Sequence, residues 1–404
     1  MLMKRTAMPH MASILLLISL VALPAASQEE EIEIDERLGT TAESQAEFEA
    51  ATAIDAEESA LNVLTMTDAF LTEYPESEFR PQILLTRLQT YVDLNNNQGI
   101  LTTGDAYVTA TNTSYDATIA RITDPAGEIA DTSDVEGLST YQVNHFVNLT
   151  FTFQSMMNAN LGLGRIDETE RYGNLAVEAS NEGWNIQSQV METGSPEYQE
   201  ANQGRIQAQL FFLQTVMSAH QNANDVEKTI EYAERSLSID PQSLASLITI
   251  SSVLSERPPE SALFREEHFE SAEEYADQAL DVLERFLDVA GDQMGAQQSA
   301  NLLSSAHFTL GTVYFHQEEW GDAQDEFEEA LELVPTNAVA YLRLGMAYVQ
   351  DEEPEDAMEA LARSIFLDGS DQARELLEQI YEIRNDGLTG IEAFIQSQGA
   401  EINR

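Results

Sequence analysis

The chain has 404 residues, of which 71 are Asp or Glu and 19 are Lys or Arg, so its formal net charge is −52. A field of this sign repels nucleic acids and anionic lipids, and neither is expected as a partner. The sequence contains no cysteine, which excludes disulfides, thiolate metal sites and cysteine nucleophiles. The acidic residues are spread along the whole chain, a composition typical of a halophilic protein, because dense salt screens the repulsion between carboxylates. A surface that recruits cations or basic partners is the alternative.

The N-terminal residues have the pattern of an export signal. A basic pair, Lys4 and Arg5, precedes the apolar run Ile14–Leu23, and small residues up to Ser27 follow it. The run is too short to span a bilayer, so we expect a cleaved signal peptide over residues 1–27 and a chain that is exported to the periplasm or secreted. An uncleaved membrane anchor is the alternative. No later stretch is apolar over enough residues to predict a transmembrane helix.

The segments that follow the signal are predicted to be a leader and then helices. Residues 28–42 are acidic and lack a sustained period, which predicts a flexible leader. In the N-terminal helical segment, 43–135, the stretches Ala60–Phe70 and Pro81–Leu94 have helical spacing and are separated by an aromatic-Pro-x-Ser turn. The stretch Asn112–Ser139 is rich in Thr, Asp and Gly, and it predicts either an interrupted helix or a long loop.

The middle of the chain, residues 136–300, is predicted to contain degenerate helix pairs. Apolar residues recur at helical spacing, and Ser-Pro, Asp-Pro and Pro-Pro sequences interrupt them. An apolar face on each pair requires a neighbouring pair to cover it. The predicted helical stretches are Tyr141–Asn160 with Ile166–Ser180, Pro196–Asn222 with Glu227–Pro241, and Leu244–Leu254 with Phe269–Phe286.

The most informative pattern lies in residues 301–370, where the same side chains recur 34 residues apart. Leu310-Gly311 in the first copy corresponds to Leu344-Gly345 in the second. The glycines are expected to let two helices approach closely, the alanines to lie where helices cross, and Pro335 to end a helix. The residues with such packing roles are Leu310, Gly311, Tyr314, Ala323, Phe327, Ala330, Pro335, Tyr341, Leu344, Gly345, Tyr348, Ala357 and Leu361.

This pattern and its period resemble the tetratricopeptide repeat (TPR). The resemblance implies an all-α fold, a right-handed TPR-type solenoid of helix pairs. The aromatic-Pro-x-Ser turn upstream is similar to turns in TPR domains of exported bacterial envelope proteins. At the other end, residues 371–404 are predicted to form C-terminal capping helices, Asp371–Arg384 and Leu388–Gln398, which cover the apolar flank of the last pair.

The motifs tested for chemistry do not indicate an enzyme. Asp93-x-Asn95-x-Asn97 begins like a calcium loop but lacks the closing Glu, and Gly162-x-Gly164 lacks both a preceding strand and a third Gly. Both are predicted to be turns between helices. The six histidines show no spacing typical of metal ligands, so we expect no metal, no cofactor and no catalysis.

In the TPR family the first helix of each pair lines the concave face, and this resemblance implies where a protein or peptide partner binds. Packing against neighbouring helices is the alternative role for these side chains. Other open readings are an accessory subunit of an envelope enzyme or assembly complex, a cation-binding acidic protein, and a homo-oligomer formed through the same face. The implied partner-binding residues, here called the first-helix face, are Phe308, Thr312, Phe315, His316, Leu342, Met346, Val349 and Gln350.

Overall fold

The computed structural model of the protein describes residues 40, 42–122, 137–256, 265–290 and 295–402. All regular structure within these residues is α-helical, which confirms the all-α prediction. The helices are α1 (Gln45–Asp55), α2 (Ala60–Glu73), α3 (Arg80–Asp93), α4 (Asn97–Ile122), α5 (Leu138–Gly162), α6 (Ile166–Val190), α7 (Pro196–Asn222), α8 (Val226–Ile239), α9 (Leu244–Glu256), α10 (Arg265–Ala290), α11 (Ala296–Gln317), α12 (Trp320–Leu333), α13 (Ala338–Gln350), α14 (Pro354–Asp368), α15 (Asp371–Asn385) and α16 (Ile391–Glu401).

One kind of tight turn connects the two helices of a pair, and it follows α3, α5, α7, α11 and α13. Each of these turns contains one residue with a positive φ, namely Asn95, Gly164, Asn224, Glu318 or Glu352. The next backbone N–H donates to the carbonyl five residues earlier, as from Glu319 to Tyr314 at 3.0 Å and from Glu353 to Tyr348 at 2.9 Å. This hydrogen bond closes the C-terminus of the first helix. The two predicted turns at Asn95 and Gly164 are therefore confirmed.

A second kind of turn connects one pair to the next and contains a proline. The residue before proline is driven out of the helical region, so the helix ends there. The backbone N–H two residues after the proline then donates to the carbonyl of the residue before it, at 3.0 to 3.3 Å. The turns are Tyr74-Pro75 with Ser77, Asp240-Pro241 with Ser243, and Val334-Pro335 with Asn337. By this criterion α2 is the second helix of one pair and α3 the first helix of the next.

The chain divides into two compact units, Met1–Val216 and Met217–Arg404. In the first unit α5 packs against α4 and along α6, and its fully buried side chains include Met156 and Met157. In the second unit α11 packs on α12 and α13 on α14, around the fully buried Phe327. The division falls within the predicted segment 136–300.

Several helices differ from their predicted bounds. α6 continues past Ser180 to Val190, because small buried residues at helical spacing extend to Gly183. α4 runs unbroken to Ile122 through the start of the stretch predicted as an interrupted helix or loop; residues 123–136 lie outside the described part. α16 begins at Ile391, since the preceding Gly390 has a φ of 96°. The predicted signal peptide and leader also lie outside the described residues, apart from residues 40 and 42.

Candidate functional site

The two clear repeats pack through the small residues that the sequence singled out. A Cβ atom on Gly311 would lie 2.8 Å from Cδ1 of Phe327, and one on Gly345 would lie 2.7 Å from Cγ of Leu361. Both distances are shorter than ordinary carbon contacts, so each glycine lets the first helix of its pair touch the second. Pro335 is exposed just beyond the end of α12. The alanines at the helix crossings, Ala323, Ala330 and Ala357, are fully buried.

Three side chains of the first-helix face lie on α11 and are half-buried by aromatic contacts. The ring centroid of Phe308 is 5.7 Å from that of Phe327. The ring of Phe315 packs edge-on against the indole of Trp320 at the start of α12. The imidazole of His316 stacks on Phe269 of α10 at 5.5 Å. Each ring is therefore held in place by a neighbour and also keeps part of its surface accessible.

The α13 part of the first-helix face is also apolar and partly accessible. Leu342 packs against the buried cluster formed by α14, α15 and α16. Met346 is half-buried, and its Sδ accepts a hydrogen bond from Nε2 of Gln372 at 3.7 Å. Val349 is half-buried and Gln350 is exposed. These positions combine packing with access. The packing role is therefore observed, and the partner-binding role stays a prediction.

Thr312 does not lie on an accessible surface, and its predicted role in partner binding is corrected. Only 1% of this residue is exposed. Its hydroxyl donates to the carbonyl of Phe308, one turn earlier in α11, at 2.9 Å. The short side chain is thus enclosed by packed neighbours and satisfied by its own helix.

Carboxylates from α10 and α12 surround the Tyr314 hydroxyl on the flank of α11. Burial, together with the charges of Glu273, Asp277 and Glu326, raises the pKa of Tyr314 to about 12. Burial and Glu273 also raise the pKa of Asp277. A 2.8 Å hydrogen bond from His307 to Glu326 raises the pKa of that histidine. A partner segment that reaches this flank must therefore be neutral or cationic.

The structure also contains a cavity in the first unit that no sequence motif indicated. Helices α5, α6 and α7 enclose a volume of about 360 Å³, lined in part by Phe146, Trp184 and Arg205. The guanidinium carbon of Arg205 lies 5.4 Å from the centroid of the Trp184 ring. In the sequence, the cavity is marked only by Trp184, one of the two tryptophans, on the helix that precedes the helix with Arg205. This combination is not a recognisable motif.

In the described part of the chain, no group of three His, Cys, Asp or Glu side chains is placed to hold a metal ion. Over the same residues, none of the helices combines the length and the apolar character needed to cross a membrane.

Residues 314–380 match the family model described as tetratricopeptide repeat. No curated protein matches the sequence. Among solved structures, a thermophilic TPR protein of Thermus thermophilus is similar at 15% identity, over 60% of this chain and 98% of its own, with a TM-score of 0.33. A tetratricopeptide repeat protein from Parabacteroides merdae is similar at 11% identity, over 80% of this chain and 99% of its own, with a TM-score of 0.36. MamA of Desulfovibrio magneticus, from residue 41 to its end, is similar at 16% identity, over 55% and 97%, with a TM-score of 0.35.

The matched residues begin in the last turn of α11 and include α12, α13, α14 and most of α15. They contain the second repeat in full, with the contact between Gly345 and Leu361, and the proline turn at Pro335 that precedes it. Over these residues the sequence period, the turn geometry and the helix packing all agree with a repeat of paired helices. Over residues 314–380 this protein is therefore similar to the tetratricopeptide-repeat family, in sequence and in the packing of its helices.

Proposed function

We propose that the protein is a non-catalytic interaction scaffold of the bacterial cell envelope, which binds a peptide or protein partner through the first-helix face of α11 and α13. The observation that carries this proposal is the tetratricopeptide-repeat match over residues 314–380. Stacked helix repeats of this kind present extended surfaces for binding other proteins. Thr312 is left out of the proposed contact because it is buried.

The chemistry of the remaining face supports an apolar segment of the partner. Phe308 and Phe315 offer ring surface whose position is fixed by neighbouring rings. Met346 adds a flexible thioether, which adapts to irregular apolar partners. Aromatic residues that are already ordered lose little side-chain entropy when a partner covers them.

The charge around the face supports a partner segment that is also neutral or basic. Tyr314 lies on the flank of α11 among carboxylates of α10 and α12. Like charges brought together at an interface cost binding energy and slow the encounter. An acidic segment is therefore a poor ligand for this surface.

The envelope location is proposed from the signal-like pattern of residues 1–27. The test is N-terminal sequencing of the protein recovered from the periplasm of the bacterial cell. We expect a mature chain that begins near Gln28. An intact N-terminus on a cytoplasmic protein would contradict the location.

The binding surface can be tested with two matched methionine substitutions. Met346 on α13 and Met358 on α14 are both half-buried, but only Met346 belongs to the first-helix face. We expect Met346→Glu to reduce capture of the partner from envelope extract by about tenfold or more, since a buried charge in an apolar contact costs well over 1 kcal/mol. Met358→Glu carries the same charge and should leave capture unchanged.

The two variants also separate loss of binding from loss of folding. Circular dichroism should show equal helical content for both. Equal capture by the wild-type protein and Met346→Glu, or equal loss with Met358→Glu, would show that the first-helix face does not bind the partner.

A further inference from the structure

The cavity in the first unit has one apolar wall and one polar wall. The apolar wall comes from α5 and α6 and includes Val143, Phe146 and Trp184. The polar wall comes from α7 and includes Arg205 and Glu200. Its volume of about 360 Å³ lies at the lower end of the range for pockets that hold small molecules. The space suits a molecule with one ring or a short chain.

Arg205 is bonded only to neutral amide oxygens. Its Nε and Nη2 both donate to Oδ1 of Asn202, at 3.3 and 3.0 Å. Its Nη1 donates to Oδ1 of Asn181 at 3.4 Å and to Oε1 of Gln209 at 3.3 Å. Within the described residues it has no carboxylate partner, and the carboxylate of Glu200 in the same cavity makes no ion pair with it.

Among the described residues, three other arginines of the first unit pair with carboxylates, whereas Arg80 and Arg165 do not. Arg87 pairs with Asp68, Arg121 pairs with Glu78 at 3.4 Å, and Arg171 pairs with Glu168 at 3.2 Å. The chain has 71 acidic residues, yet none of the described carboxylates pairs with the half-buried Arg205. Burial lowers the pKa of Arg205, because removal of water disfavours the charged form. The guanidinium would therefore gain from an anion supplied by a ligand.

The guanidinium is oriented before any ligand arrives. Gln209 is 2% exposed, and its Nε2 donates to Oδ1 of Asn181 at 2.7 Å, which fixes both amides against Nη1. Trp184 lies against the guanidinium on another side, at 5.4 Å. The edge formed by Nε and Nη2 is held by a single oxygen, from the partly exposed Asn202. That edge is the one that a carboxylate can grip with two parallel hydrogen bonds.

We propose that this cavity binds a small organic acid, with its carboxylate on the Nε and Nη2 edge of Arg205 and its apolar body against Trp184 and Phe146. The carboxylate replaces the amide oxygen of Asn202, which rotates away. A neutral acceptor is thereby exchanged for a charged one in a partly dry site, where charge-assisted hydrogen bonds are strongest. This site is separate from the first-helix face and does not depend on the proposed function.

The test uses Trp184 as the reporter in the full chain with Trp320→Phe, which leaves Trp184 as the remaining tryptophan. The probe is 3-phenylpropionate, and 3-phenylpropanamide is its uncharged analogue. We expect saturable quenching by the acid with a millimolar or lower dissociation constant, and binding of the amide that is roughly tenfold or more weaker. No saturable quenching by the acid, or equal affinity for acid and amide, would overturn the proposal.

Substitution of the arginine provides the second measurement. Arg205→Gln should weaken binding of 3-phenylpropionate by about tenfold or more. Arg171→Gln is the matched control, since it removes the same charge from an exposed arginine that also lies over a ring, that of Tyr172. If both variants weaken binding of 3-phenylpropionate equally, the affinity depends on the net charge of the protein and not on Arg205, and the proposal is overturned. If Arg205→Gln fails to fold, the comparison of acid with amide on the unsubstituted arginine still decides the question.

A third arm distinguishes a free acid from a peptide end. The tripeptide Ala-Ala-Phe carries the same ring and carboxylate on a larger body. Binding of 3-phenylpropionate at least as tight as that of the tripeptide supports the small-acid site. Binding of the tripeptide without binding of the free acid would overturn it.

Discussion

Gly345→Ala is expected to destabilise the second unit by forcing α13 away from α14. The new Cβ would lie 2.7 Å from Cγ of Leu361, 2.9 Å from its Cδ2 and 3.3 Å from its backbone nitrogen. Carbon atoms in contact normally lie about 3.5 to 4.0 Å apart. Leu361 is fully buried, and its Cγ is a branch point close to the backbone. The overlap therefore cannot be relieved by rotation of a flexible chain end.

The size of the effect follows from two opposing terms. Insertion of a methyl group into a packed contact costs about 1 to 3 kcal/mol. Replacement of Gly by Ala inside a helix stabilises by up to about 1 kcal/mol. Gly321→Ala on α12 isolates the second term, since a Cβ atom there would meet nothing within 4 Å. The free energy of unfolding of Gly345→Ala should thus be about 1 to 3 kcal/mol below that of Gly321→Ala.

The assay is urea unfolding of the full chain, followed by circular dichroism at one salt concentration. Gly321→Ala should equal or slightly exceed the wild-type protein in stability, and Gly345→Ala should unfold at lower urea. If Gly345→Ala proves as stable as Gly321→Ala, the two helices do not touch at this glycine, and the packing argument fails.

Two further predictions concern pH and salt. His145 is buried and stacked on Tyr115 at 4.1 Å, and burial lowers its pKa from 6.5 to about 4. Between these pH values the unfolded chain binds more protons at this site, so the stability due to neutral His145 falls with acidification, by about 3 kcal/mol at most. Between neutral and acidic pH, the free energy of unfolding measured in urea should fall less for His145→Gln than for the wild-type protein. Equal decreases in the two proteins would refute this. For salt, a rise from ~0.1 M to ~1 M NaCl shortens the screening length about threefold and should raise the Tm by at least about 2 °C. An unchanged Tm would show that repulsion among carboxylates does not limit stability.

Much of the fold near the C-terminus could be predicted because its determinants are local. Gly345 and Leu361 recur at the positions of Gly311 and Phe327, and each glycine contacts the residue 16 positions later in its own pair. Pro335 ends its helix through backbone sterics alone. Such features need only one pair of helices, so a sequence period reveals them.

The candidate sites depend on packing between more distant elements. Thr312 occupies a position typical of a binding surface, yet it is 1% exposed, and its burial depends on the neighbouring helices rather than on its own spacing. The bounds of α6 likewise depended on small residues that continue the buried stripe as far as Gly183.

By itself the sequence determined the helical class, the repeat register in residues 301–370 and the acidic character of the surface, since each follows from residue spacing or composition. Only the tertiary structure decided which first-helix side chains remain accessible. It also brought Arg205 of α7 to Trp184 and Asn181 of α6, with amides rather than carboxylates around the guanidinium. Contacts of this kind require two helices to pack with a defined rotation about their axes and a defined axial offset. Packing of the whole unit sets that relative placement.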